Sequence, residues 1–305
     1  MSDEFPLPEP PSRSGNVYAV ELVSGSFGGA AQVIVGQPLD TLKTRAQTAP
    51  AGKFKNTWDI LRQTLRKEGV LALYKGMMSP LMGVAAVNSL LFTAYGTARR
   101  IVSPYPDLSI PQVMLAGSMA GAANAILAAP VEMFKIRMQG QYGGAGDKKL
   151  SAVVRDMWQQ YGFRNGIMRG YWITFIKEMP AYAGFYGCYE VVKRFWGRRY
   201  GGVEHVPIWA LLTSGACGGV GYWLASYPLD IAKSRIQLAD KPPMKGHWMR
   251  GGYVVHELKA IVAEGGFKAL FRGIGPSLVR AVPAAGSTFV AFEVTRDYIT
   301  RHGIL

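Results

Sequence analysis

The sequence predicts an all-α membrane protein: six tilted transmembrane helices in three pseudo-symmetric repeats around a central cavity, with short amphipathic helices in the loops on one side. Three observations carry this. Hydrophobic residues make up 49% of the 305 and charged residues only 18%, which is poor in charge for a soluble chain of this length. A ten-residue pattern opening on proline occurs three times. Six segments of about 30 residues each exceed the roughly 20 needed to cross a bilayer core, so tilt or kinking is expected.

The repeat is read from Pro38, Pro130 and Pro228. Each is followed by an acid two residues on (Asp40, Glu132, Asp230), a lysine five on (Lys43, Lys135, Lys233), an arginine seven on (Arg45, Arg137, Arg235) and a glutamine nine on (Gln47, Gln139, Gln237). Thirteen residues before each proline begins a GxxxG, at Gly25, Gly117 and Gly215. Small residues at that spacing let membrane helices approach closely. Downstream come Glu68-Gly69 and Tyr74-Lys75-Gly76, then the looser Gly162 and Met168-Arg169-Gly170, then Glu264-Gly265 and Phe271-Arg272-Gly273.

In chain order, residues 1–16 form a disordered tail, acidic and proline-rich, with neither the Arg-rich character of a transit peptide nor the apolar core of a secretory signal. Repeat 1 spans 17–103, repeat 2 spans 104–200 and repeat 3 spans 201–305. The odd-numbered spans are Val17–Gln47, Ile110–Gln139 and Val206–Gln237, each with its proline well inside, where it kinks the helix and does not end it. The even-numbered spans are Tyr74–Ser103, Met168–Arg199 and Phe271–Arg301. Amphipathic pieces at Thr57–Lys67, Ser151–Gln160 and Tyr253–Ala263 join odd to even, so the three long loops share one side and both termini the other. Those loops hold five, four and five Lys or Arg against two, two and three acids, and basic loops stay on the side of synthesis or, in an organelle, its matrix.

The net charge of +14 comes with no zinc-finger, RNA-recognition or helix-turn-helix signature, so it is assigned to topology and not to nucleic acid. Cys188 and Cys217 stand in apolar segments outside any metal-ligand spacing, and buried packing is expected of both.

An unpaired charge near the centre of a membrane helix costs about 2.5–3.5 kcal/mol, so the three acids and three lysines must pair or face water. Each acid can pair with the lysine one turn later on its own helix. Threefold repetition favours the alternative, a ring in which each helix gives its acid to one neighbour and its base to the other. A second ring is suggested at the far ends of the even spans by Tyr189-Glu190 with Lys193 and Phe292-Glu293 with Arg296, with Tyr95-Gly96 and Arg99 as an incomplete copy. Two rings at opposite ends of one bundle make two gates.

The tripled PX[DE]XX[KR]X[KR]XQ with downstream [YF][KR]G resembles the mitochondrial carrier family from about Val17 onward, and within it the amino-acid, ornithine and carnitine or acylcarnitine branch. The resemblance implies a six-helix carrier in the mitochondrial inner membrane, both termini in the intermembrane space, moving one solute by alternating access. It also implies that Asp40 pairs with Lys135, Glu132 with Lys233 and Asp230 with Lys43 to close the matrix side, braced by Gln47, Gln139 and Gln237. On the cytoplasmic side it assigns Arg99, Glu190, Lys193, Glu293 and Arg296, with Gly96 in place of an acid, so at most two full pairs form there.

Departures from threefold symmetry mark the solute site, because an asymmetric solute needs unlike groups on the three faces. At one depth in the even spans stand Lys177 and Glu178, Arg280 and, in the first repeat, Gly83, with Val87 and Asn88 one turn further. Adjacent helical residues point about 100° apart, so Lys177 and Glu178 are expected to make a poor self-contained pair. Two cations and one anion suit a zwitterion. The basic-acidic pair and the stretch from Arg280 to Gly286 resemble carnitine and ornithine carriers. Lys177 in place of the usual arginine removes bidentate recognition of a carboxylate, and Val87 leaves a second cationic group of the solute without a partner. Carnitine or an acylcarnitine is therefore favoured, with ornithine-like or other amino acids such as glycine as the alternative and a proton-leak protein as the rival class.

None of the four histidines lies in a ligand spacing, and no nucleophile motif or phosphate loop is present, so no enzyme, cofactor or metal is expected. The expected partners are the solute and anionic lipid on the matrix side, and the expected state is a monomer.

Overall fold

The computed structural model describes residues 15–49, 53–105, 107–141, 147–202, 205–239 and 252–302. The tail expected over 1–16 lies almost wholly outside them. Repeat 1 consists of α1 (Gly15–Thr48), α2 (Thr57–Glu68) and α3 (Met78–Val102). Repeat 2 consists of α4 (Ile110–Gln139), α5 (Leu150–Gly162) and α6 (Tyr171–Arg199), and repeat 3 of α7 (Ile208–Leu238), α8 (Gly252–Gly265) and α9 (Ile274–His302). Among the described residues there is no strand.

Local chemistry explains the helix ends. Ser109 and Gln112 form a reciprocal capping box with Pro111 in the first turn of α4, which satisfies backbone donors that have no partner inside the helix. Asn56 Oδ1 accepts from the Asp59 amide at the start of α2. Pro38, Pro130 and Pro228 lie inside α1, α4 and α7, each of which continues to its glutamine. The even spans begin later than expected, at Met78, Tyr171 and Ile274 in place of Tyr74, Met168 and Phe271. Gly76, Gly170 and Gly273 stand at φ of 81, 79 and 87°, a left-handed turn that no helix can include and that side-chain-bearing residues rarely adopt.

The same three glycines dock each repeat on the next. A Cβ on Gly76 would lie 2.8 Å from the Lys135 carbonyl of α4, one on Gly170 2.8 Å from Gln237 Cγ of α7, and one on Gly273 3.0 Å from Ala46 of α1. The six long helices close into a ring in the order α1, α3, α4, α6, α7, α9 and back to α1. The short helices all sit at the end that carries the proline motifs. There Ile60 of α2 packs with Leu42 and Ala46, Val153 and Met157 of α5 pack with Met133, and Ile261 of α8 packs with Ile231 and Ala232.

By length and apolarity alone two spans among the described residues, Val70–Val102 and Ile110–Gln139, qualify as membrane helices. The other long helices carry charges such as Asp40 and Lys43 or Lys177 and Glu178, which ion pairing and not apolarity makes tolerable. Cys188 and Cys217, expected to be buried, are exposed.

At the motif end Glu68, the last residue of α2, ties three segments together. Arg45 Nη1 and Nη2 lie 2.6 and 2.9 Å from its two oxygens and Lys75 Nζ 2.9 Å away. Burial pushes this carboxyl up, and the Arg45 and Lys75 contacts outweigh it and hold it below the ordinary glutamate range. A carboxyl lowered on folding contributes stability that is present above the unfolded pKa and lost as pH falls through the folded one. Thermal melting of the purified protein between pH 7 and pH 3 is expected to show Glu68→Gln below the parent at neutral pH, with the gap closing below about pH 4.3. A gap that does not change with pH would mean that packing, and not charge, fixes this residue.

Candidate functional site

The proline motifs place three carboxylates and three lysines at one level where α1, α4 and α7 converge. Lys43 Nζ of α1 lies 2.6 Å from Asp230 of α7. Lys135 of α4 pairs with Asp40 of α1, and Lys233 of α7 pairs with Glu132 of α4. Each lysine thus takes the acid of a neighbouring helix and not the one a turn away on its own. Lys233 is 1% exposed and Asp230 6%, so these charges are removed from water and depend on their counter-charges.

The glutamines divide. Gln47 Nε2 donates to Asp230 at 3.0 Å, and its carbonyl accepts from Ser234 at 2.8 Å. Gln139 instead donates to Thr41 and accepts from Thr44, both on α1, which occupies both ends of its amide. Gln237 is buried against Gly170 with no hydrogen-bond partner among the described residues, so neither of these two braces a pair as expected.

Immediately beyond the ring, away from the short helices, lie the residues that break threefold symmetry. Lys177 and Glu178 of α6 are 1% and 2% exposed and 2.7 Å apart. The expectation that these neighbours make a poor pair is overturned. Tyr222 of α7 explains it: its hydroxyl accepts from Lys177 at 3.0 Å and lies 3.2 and 3.3 Å from the Glu178 oxygens, drawing both side chains to one face of α6. Lys177 Nζ also stands 3.7 Å from Asp230 and 3.8 Å from Glu132. Arg280 of α9 reaches across to Asp40, Nε to Oδ1 2.9 Å. It passes Gly36, where a Cβ would lie 2.5 Å from that nitrogen. All three ring acids are therefore touched twice, once by a ring lysine and once by a cation of this second group. Asn88 of α3 lies against Gly29 of α1, and no hydrogen bond joins it to the other three among the described residues.

At the opposite end of the bundle, Lys193 lies 3.5 Å from Glu190 of its own helix and Arg194 2.8 Å from it, so the described partners of Glu190 are one turn away. Arg99 is exposed, and Arg296 stacks on Phe292 at 5.8 Å. The side chain of Glu293 lies outside the described residues. Tyr95, beside Gly96, stacks on Tyr186 of α6 with centroids 3.7 Å apart and planes 6° from parallel.

A ring of cross-paired motifs, three docked repeats and a charged group beneath the ring describe one architecture. A family model described as mitochondrial carrier protein matches residues 15–105, 106–200 and 204–303. The chain belongs to the mitochondrial carrier family. It is 34% identical over 301 residues to a mitochondrial carnitine/acylcarnitine carrier-like protein of Arabidopsis thaliana, covering 91% of this chain and 97% of the relative. It is 35% identical to the mitochondrial ornithine transporter 1 of Mus musculus, covering 91% and 94%. A mitochondrial glycine transporter of Saccharomyces cerevisiae is 32% identical, covering 96% and 98%.

In this carrier Tyr222 and Trp223, which follow the GxxxG of repeat 3, join the site without having been expected from the sequence. Lys43 Nζ sits 3.9 Å above the Trp223 ring, a cation–π contact on top of its pair with Asp230. Tyr222-Trp223 has no counterpart at the same offset before Pro38 or Pro130, where Gln32-Val33 and Asn124-Ala125 stand. That asymmetry was the available signal.

Proposed function

We propose that this carrier moves a zwitterionic solute across the mitochondrial inner membrane by alternating access and exchange, with carnitine or an acylcarnitine favoured. The convergence of Lys177, Glu178 and Arg280 on the inner face of the closed ring carries the reading: two cations and one anion, all within the bundle, match a carboxylate and an ammonium. Arg280 and Lys177 take the carboxylate, Glu178 takes the quaternary or primary amine, and Asn88 contacts the solute from α3. The ring of Asp40, Glu132, Asp230, Lys43, Lys135 and Lys233 is the matrix gate. Arg99, Glu190, Lys193, Glu293 and Arg296 form the cytoplasmic one. The basic loops put the short helices in the matrix, where anionic lipid meets them, and both termini in the intermembrane space. The carrier works as a monomer.

Relatives that carry glycine or ornithine by name support a second reading, an amino-acid solute on the same three charges. Val87, which offers no carboxylate to a second ammonium, favours carnitine over ornithine.

The deciding experiment is uptake of labelled carnitine, glycine and ornithine into proteoliposomes preloaded with each. Exchange of one zwitterion is expected, reduced at least a hundredfold in Glu178→Gln and in Arg280→Ala. Proton flux without any exchanged solute would support a proton-leak protein instead.

A further inference from the structure

We propose that Tyr222 is a positioning residue that makes the site selective for solutes carrying both charges. This rests on the reading of Lys177 and Glu178 as solute-binding.

Neighbouring helical residues diverge by about 100°, so a 2.7 Å contact between their tips needs something to gather them. The Tyr222 hydroxyl does so, because a phenol donates and accepts at once: it takes a hydrogen bond from Lys177 at 3.0 Å and gives its own hydrogen to Glu178. The ring is held from the other side. Tyr182 packs edge-on against it with centroids 5.4 Å apart and planes 80° from parallel, and the Tyr182 hydroxyl accepts from Asn124. The Lys177 ammonium stands 5.3 Å from the Tyr222 ring centroid. The bridge is thus built from three helices: α4 holds Tyr182 of α6, Tyr182 holds Tyr222 of α7, and Tyr222 gathers the pair on α6.

The consequence is selectivity. A solute with one charge that binds Lys177 or Glu178 alone must break the pair and the bridge together: an anion on Lys177 strands Glu178, and a cation on Glu178 leaves Lys177 only the ring acids at 3.7 and 3.8 Å. A zwitterion replaces the broken pair on both sides. With the hydroxyl removed, the two side chains splay toward their separate directions on α6, and either becomes available singly.

The test uses Tyr222→Phe, which keeps the ring against Tyr182 and loses only the hydroxyl, with its fold checked by thermal melting. Labelled L-carnitine uptake into proteoliposomes is challenged with unlabelled carnitine and with its two halves, (2-hydroxypropyl)trimethylammonium and 3-hydroxybutyrate. The parent is expected to favour carnitine over either half by at least a hundredfold. In Tyr222→Phe that ratio is expected to shrink at least tenfold, with KM for carnitine raised and kcat changed less. If the parent exchanges glycine instead, methylammonium and acetate serve as the halves, with the same expectation.

A folded Tyr222→Phe that is slower but keeps the parental ratio overturns the proposal and leaves the solute site standing. A parent that exchanges no zwitterion overturns the solute reading and the proposal with it.

Discussion

Gly121→Ala is expected to cost this carrier about 1–3 kcal/mol of stability and at least tenfold in transport, whereas Gly25→Ala and Gly215→Ala cost neither. Gly121 is the second glycine of the GxxxG of repeat 2 and Gly25 and Gly215 are the first glycines of those in repeats 1 and 3; the motif alone gives no reason to rank its glycines. The structure does. A methyl on Gly121 would lie 2.5 Å from the Glu178 carbonyl oxygen and 2.8 Å from the Tyr182 ring, so α4 and α6 must part to admit it. Gly117, one turn earlier, faces the Tyr182 carbonyl at 2.7 Å. Among the described residues nothing lies within 4 Å of a methyl on Gly25 or Gly215, and alanine there gains the roughly 0.5–1 kcal/mol by which it exceeds glycine in a helix. Because Glu178 and Tyr182 are the residues displaced, the loss of transport should exceed what the stability change alone predicts. Melting temperatures of the three variants decide the matter, and a Gly121→Ala protein that melts with the parent would mean that the α4–α6 contact is loose.

The three alanine variants also separate what the sequence carries from what it does not. Periodic features were legible: the proline motifs, the spans and the short helices recur at fixed offsets, and repetition turns weak signals into strong ones. The pairing of Asp40 with Lys135, Glu132 with Lys233 and Asp230 with Lys43 was reachable because each charge inside a membrane needs a partner and family resemblance named it. What was not legible depends on distances across the ring. Gln139 and Gln237 share the offset of Gln47, yet Thr41 and Thr44 capture the first and Gly170 receives the second. The pairing of Lys177 with Glu178 runs against the divergence of neighbouring residues, and only the Tyr222 hydroxyl, 44 residues beyond Glu178, makes it possible. The late starts of α3, α6 and α9 follow from glycine backbones at positive φ, a property the sequence marks by glycine without saying which of two nearby glycines uses it. In repeat 3 Gly273 adopts it before α9, at φ 87°, and Gly275 two residues on does not.

The acids of the gate should likewise prove unequal, and Asp230 should dominate. Asp230→Asn is expected to destabilise the closed carrier by about 3–5 kcal/mol, the cost of leaving a buried charge without its counter-charge. Its carboxylate holds Lys43 at 2.6 Å, accepts from Gln47 at 3.0 Å and lies 3.7 Å from Lys177, so an amide there leaves two buried ammonium groups short of charge and one accepting oxygen where there were two. Glu132→Gln removes an acid whose side chain is 33% exposed and that holds Lys233 without the glutamine hydrogen bond Asp230 receives, so a smaller loss, roughly half the Asp230 effect, is expected. Asp40, 11% exposed and shared between Lys135 and Arg280, should fall between the two. A double-mutant cycle between Asp230→Asn and Lys43→Met, read by melting in detergent, isolates the pair itself. Since removal of both charges relieves the stranded lysine, the double variant should be more stable than Asp230→Asn alone, while Lys177 keeps it below the parent. Equal losses at all three acids would show that the gate acts as a symmetric ring and that the cations of the solute site take no part in holding it shut.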